Sequence, residues 1–268
     1  MGTMSLAALS CGASAPVESS EATTESVTED PTAGDNPMYI WDGFDPLLDI
    51  PSRVDFDRYA SRMEKFAAEE QAEGQIVFYG SSTFTRWTEE YAGIALEDAI
   101  LTDNGEKIAV NRGFGGSNIH DLCYHYRKLI PPLKPKAVVI TTFMNATGYS
   151  ETEQLQLAAW LIQQIRKDCP GAHIYITDCR PMLKYQAPDR KASFIDLRER
   201  LIRYAENYDD VTVIPLSNEP MFYEFPEAAG TYQYIDRSIY VTDQVHLNEA
   251  GYEMLTEVFK RYIADELK

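Results

Sequence analysis

Ile76-Val-Phe-Tyr79, followed by Gly80-Ser81-Ser82-Thr-Phe-Thr-Arg86-Trp87, is the stretch from which the fold is read. Gly74 and Gly80 bound a short apolar run, the pattern of a strand buried on both faces of a parallel sheet. A serine placed where such a strand turns into a helix carries its hydroxyl to the sheet edge. The amides of the helix N-terminus then lie where they can meet a developing negative charge. Taken alone, Gly-Ser-Ser is more often a plain turn.

Outward from this stretch the alternation repeats. Upstream, Phe56, Tyr59, Met63, Phe66 and Ala67 fall at helical spacing. Downstream, residues 107–111, 137–141, 172–177 and 211–214 are short apolar strand segments. One intervening helix is opened by Ser117, carries Ile119, Leu122, Cys123, Tyr126 and Leu129 on one face, and stops at Pro131-Pro132. The next begins with a Ser150–Glu153 capping box and carries Leu155, Ala158, Leu161, Ile162 and Ile165. A further helix bears Phe194, Leu197, Leu201 and Tyr204. The last starts near Asn248 and bears Leu255, Val258, Phe259, Tyr262 and Ile263. Five strands separated by helices predict an α/β domain, a three-layer α/β/α doubly wound sheet of five parallel strands.

Ligands of such sheets bind beyond the carboxyl ends of the strands, where strand order reverses, so the residues that follow each strand carry the functional argument. After the second strand, Gly113-Phe-Gly115-Gly116-Ser117 lets the backbone approach a ligand closely, or is a flexible turn. It lacks the Gly-Lys-Ser/Thr ending of a phosphate loop and fits no dinucleotide fingerprint. After the third strand, Asn145 offers a side-chain N–H donor or shapes the turn. Before the last helix, Asp243 and His246 stand three residues apart. That spacing either brings a carboxylate to the imidazole Nδ1–H, freeing Nε2 as a base, or shapes a loop.

Together these four segments resemble the SGNH hydrolase superfamily, the GDSL esterase/lipase family, from about Gln75 to the C-terminus. The resemblance implies a flavodoxin-like sheet and a serine esterase without metal or organic cofactor. It makes Ser82 the nucleophile, His246 the base and Asp243 its orienting acid. Ser82, Gly116 and Asn145 become the oxyanion hole. Ser81 stands where the family has Asp, while Phe143 and Ala146 replace the Gly and Asp that usually flank the asparagine. The resemblance implies small acyl esters, and the expected reaction is removal of acetyl groups from carbohydrate. Alternatives within the fold are a lipid acylhydrolase, a thioesterase or an acyltransferase to sugar. The rival of another class is a catalytically silent glycan-binding lipoprotein.

Composition limits the partners. The 268 residues carry 24 Lys and Arg against 42 Asp and Glu, a net charge of -18, which argues against a surface that tracks nucleic-acid phosphates. No apolar run reaches the length of a membrane-spanning helix. Residues 1–37 divide from a catalytic domain at 38–268. The stretch 12–37 is Ser, Thr, Glu, Ala and Pro with few bulky apolar residues, the composition of a disordered acidic tether. Small and apolar residues ending in Cys11 resemble the tail of a lipoprotein signal, without its basic start or full apolar length. The expected setting is therefore extracellular or in the cell envelope, with Cys11 as membrane tether.

Cys123, Cys169 and Cys179 show no metal or redox spacing, and no metal site is expected. His120 and His125 are expected to be solvated and His173 structural. Trp87 either walls the site or packs. The aromatics from Met221 to Tyr234 are read mainly as packing, with stacking on a sugar as the alternative.

Overall fold

The structure, a computed structural model, describes residues 38–53, 55, 57–69 and 72–268. Cys11, the acidic stretch before Met38 and Phe56 lie outside the described residues.

The elements run α1 (Ala60–Ala68), β1 (Ile76–Gly80), α2 (Ser82–Thr85), α3 (Glu89–Ala92), α4 (Leu96–Ala99), β2 (Ala109–Gly113), α5 (Ile119–Leu129), β3 (Ala137–Thr141), α6 (Glu151–Asp168), β4 (His173–Thr177), α7 (Pro188–Ala205), β5 (Val211–Ile214) and α8 (Glu249–Tyr262). All strand pairs are parallel, in the order β2-β1-β3-β4-β5. The chain passes from β1 to β2 on one side and returns to place β3 on the other. Strand order thus reverses at the crevice between β1 and β3, beside the Ser81-Ser82 turn.

Strand side chains alternate between two cores. Val77, Tyr79, Val138, Ile140, Ile174 and Ile176 pack with α1, α5, α6 and α7. Ile76, Phe78, Ala137, Val139 and Tyr175 pack with α2, α4 and α8. This two-sided burial is why the strands read as continuous apolar runs. Trp87 is fully buried against Tyr252 and Phe259 and belongs to the second core, so it packs and does not wall the site.

Three local expectations change. β2 begins two residues later than the apolar run, because Lys107 pairs with Leu101 in a tight reversal, and register with β1 starts at Ala109 opposite Ile76. Asn118, not Ser117, caps α5, its side chain accepting from His120 N and Asp121 N. His120 and His125 are buried, not solvated, because Pro46 and Tyr59 lie against that face of α5. His125 has no hydrogen-bond partner among the described residues, and burial lowers its pKa to about 4.

Candidate active site

β1 delivers the serines. Gly80 is required by contact, since a methyl group there would fall 2.0 Å from Thr141 Oγ1, so β1 ends hard against β3. Ser81 is buried, and Ser82 opens α2 half-exposed. Tyr252 of α8 donates to Thr83 O at 2.8 Å and pins this turn from behind.

β2 leads to Gly116, whose φ of +81° suits glycine. A side chain there would also strike Arg58. The next residue, Ser117, donates through its hydroxyl to Gly80 O at 3.4 Å. β3 leads to a loop in which Phe143 and Asn145 both adopt φ of +58°. Phe143 thus keeps a backbone that suits glycine, with its ring buried. Asn145 Nδ2 donates to Ser81 Oγ at 2.8 Å and to Ser117 O at 3.1 Å. Three strand ends meet in these two bonds. They orient Asn145 although Ala146 supplies no carboxylate, and Ser81, standing where Asp is usual, is one of its two anchors.

The last loop forms a compact carboxylate–imidazole unit. Asp243 Oδ1 accepts from the amides of Val245 and His246, both at 2.9 Å, and Oδ2 lies 2.6 Å from His246 Nδ1. A carboxylate there makes Nδ1 the protonated nitrogen and leaves Nε2 with the lone pair. Burial alone would raise the Asp243 pKa. The amides and the imidazole outweigh it and hold the carboxyl far below its ordinary range. His246 is lowered from 6.5, first by burial and then by Arg86 against the pull of Asp243.

Two arginines given no role in the sequence reading tie this loop to the serine turn. Arg86, four residues after Ser82, lies 3.6 Å from Asp243 Oδ2. Arg180, buried beyond β4, donates to Val245 O beside His246 and reaches Thr83 Oγ1 beside Ser82 at 3.5 Å. The spacing of Arg86 from Ser82, one helical turn, was the only sequence signal for either. Ser82 and His246 make no hydrogen bond to each other, and His246 Nε2 has no hydrogen-bond partner among the described residues. Past Asn145, a cavity of about 260 Å³ is lined by Phe143, Ala146, Gly148, Tyr149, Glu151 and Ser193, among others. Its floor is polar, with Ser193 Oγ donating to Glu151 at 2.6 Å.

The aromatics after β5 divide. Phe222, Tyr223 and Tyr232 are buried, while Phe225 and Tyr234 form an exposed edge-on pair 5.8 Å apart. His173 is half-buried and bonds Thr212 Oγ1 through Nε2. Cys123, Cys169 and Cys179 are free and buried.

Comparison with known proteins agrees with this architecture. A GDSL-like lipase from Bacteroides thetaiotaomicron superposes with a TM-score of 0.59 at 20% identity, over 79% of this chain and 98% of that one. An acetyl xylan esterase superposes at 0.55 and 17% identity, over 70% of this chain and 99% of that one. A catalytic mutant of an acetylxylan esterase from Geobacillus stearothermophilus gives 0.52 at 14% identity, covering 74% and 96%. These likenesses are of fold. No curated protein matches the chain at a significant level. At the level of sequence family, residues 78–254 match the GDSL-like Lipase/Acylhydrolase family, so the chain belongs to that family and is a hydrolase of ester bonds.

Proposed function

We propose that the protein removes small acyl groups, acetyl foremost, from hydroxyls of carbohydrate, with Ser82 as nucleophile, His246 as base and Asp243 as its orienting acid. The observation that carries the reading is the pairing of Asp243 with His246 Nδ1 at 2.6 Å, on a loop braced by Arg86 and Arg180 to the turn bearing Ser82.

His246 Nε2 takes the proton as Ser82 Oγ attacks the ester carbonyl. The resulting oxyanion is met by the amides of Ser82 and Gly116 and by Asn145 Nδ2. Both hydrogens of that amide are already engaged, and the longer bond, to Ser117 O, is the one a charged oxygen would replace. Collapse expels the alcohol with the proton held by His246. Water then attacks the acyl-enzyme, His246 takes its proton, and the acid and free Ser82 are released. The polar cavity past Asn145 suits a hydroxylated alcohol. The likeness in fold to two acetyl xylan esterases supports acetyl as the acyl group.

Hydrolysis of p-nitrophenyl acetate and octanoate by the wild type, Ser82→Ala and Ser81→Ala tests the reading. Ser82→Ala abolishes turnover. Ser81→Ala, which removes one neutral hydrogen bond to Asn145 worth about 1 kcal/mol, retains it at about a fifth. Acetate exceeds octanoate. Turnover by Ser82→Ala at the wild-type rate would overturn the assignment.

A further inference from the structure

We infer that Arg53 and Arg58 make the site selective for esters whose alcohol part bears an anionic group, a carboxylate or a phosphate. The inference rests on the acetyl-esterase reading above: acetyl carries no charge, so an anion must lie on the alcohol.

Residues 46–53 and 57–59, ahead of α1, are fastened beside the site as a strap. Pro46 O can only accept, so His120 Nε2, 2.6 Å away, carries the ring proton. His120 Nδ1 is then the acceptor for Tyr149 OH at 2.9 Å, and the same hydroxyl accepts from Arg53 N at 3.2 Å. Farther along, the Tyr59 ring is buried edge-on against Phe114 and His125. Each fastening sets an arginine. The Arg53 guanidinium lies 4.8 Å from the Tyr149 ring centroid, and a methyl group on Gly148 would fall 3.1 Å from it. The Arg58 guanidinium lies 5.0 Å from the Tyr59 centroid, and a methyl group on Gly116 would fall 2.5 Å from its Nη2. The two cations therefore flank the two loops that carry Gly116 and Asn145.

Neither cation has a carboxylate within ion-pair distance among the described residues. Arg86, Arg112, Arg166, Arg198, Arg200 and Arg261 all have one. The acids near the strap, Asp121 and Asp55, accept from Asn118 N and Asp57 N without an ion pair, and the charge of Arg58 works against the burial that raises the Asp121 pKa. Exposed Arg127, Arg190, Arg203 and Arg237 likewise have no ion-pair partner among the described residues; what sets Arg53 and Arg58 apart in a chain of net charge -18 is their place beside the loops of the site. The global charge repels an anion, yet beyond a Debye length of about 8 Å at physiological salt it is screened, so the distant acids weigh little at the mouth beside these two groups. A guanidinium fork matches carboxylate and phosphate alike.

The test compares 3-acetoxybenzoate and 3-acetoxyphenyl phosphate with neutral methyl 3-acetoxybenzoate, using the full chain as wild type, Arg53→Gln, Arg58→Gln and the double variant. Calorimetric binding of 3-acetoxybenzoate and its methyl ester to Ser82→Ala, with and without the double substitution, gives a readout independent of chemistry. The wild type should favour at least one anion over the neutral ester in kcat/KM. The double variant should lose about ten-fold of that ratio, as expected for one charge-assisted hydrogen bond, and salt should erode it in the wild type alone. Equal ratios in wild type and double variant, for both anions, overturn the inference and leave the esterase standing. Acid-selective binding to Ser82→Ala that the arginine substitutions abolish, without turnover by the wild type, upholds the inference and removes the esterase.

Discussion

Phe143 sits where a side chain costs about 1–2 kcal/mol of backbone strain. Its ring is buried, worth about 1.5–3 kcal/mol, so burial outweighs strain and the loop keeps its shape without glycine. In the proposed mechanism His246 is the residue whose protonation must be controlled. Attack requires the neutral ring, so kcat/KM falls as pH drops through its pKa, and burial with Arg86 puts that limb below 6.5. Arg86→Gln removes a cation that disfavours imidazolium and frees Asp243 to favour it. The acid limb therefore moves up in pH, and a kcat/KM profile with an unmoved or lower limb would refute this electrostatic role. Asp243 and His246 were legible in the sequence because their partnership is local, three residues apart. The serine turn and Asn145 were legible through their place after strands. The setting of Asn145 by Ser81 and Ser117 was not, since those residues meet only when three strand ends converge.

Among the elements, strands and helices read well where one physical signal dominated. The Ser150–Glu153 capping box opens α6 as expected, because both reciprocal bonds lie within four residues. β2 runs on beyond its expected end at Asn111, through Arg112 to Gly113, although this stretch is polar. Arg112 is nonetheless buried, lying over the Phe66 ring and paired with Glu69, so a residue that reads as surface continues a strand. The segment after β4 had no motif at all, although Arg180 makes it the brace between α2 and the histidine loop. Arg180→Met leaves the Val245 carbonyl without its donor, a loss of about 1–3 kcal/mol. The expected result is a lower melting temperature together with a fall in kcat that exceeds any change in KM. Arg180→Lys, which can still reach one acceptor, should restore part of both. A stability loss with kcat unchanged would make Arg180 structural only.

Over the whole molecule, the sheet and its two cores followed from the alternation of apolar runs. The buried polar chemistry between β4, β5 and α7 did not, because it depends on which polar groups end up without water. Asp178 is fully enclosed, held by Ser217 N and Ser217 Oγ, while Arg198 bonds Ser217 Oγ at 3.0 Å. Burial outruns these partners and raises its pKa from 3.8 to about 7. Between those values the folded protein holds a proton that the unfolded chain has released, so this group's contribution to stability declines as pH rises from about 4 to about 7. Asp178→Asn imitates the protonated acid and removes that decline. Melting temperatures across pH 4.5–7.5 should show the variant gaining on the wild type as pH rises; a constant difference would contradict the shifted pKa. His120 and His125 titrate in both proteins, so the comparison isolates Asp178.

The far end of the chain is fastened at the opposite edge of the sheet. Asp103 N donates to Leu267 O at 2.8 Å, and Lys136, just ahead of β3, donates to Glu266 O at 2.6 Å. Lys268 thus lies at the amino ends of the strands, a full strand length from Ser82 at their carboxyl ends. Immobilising the enzyme through an extension at Lys268 would turn its reactive mouth outward from the solid support, with no linker design needed to keep large polymers from being blocked.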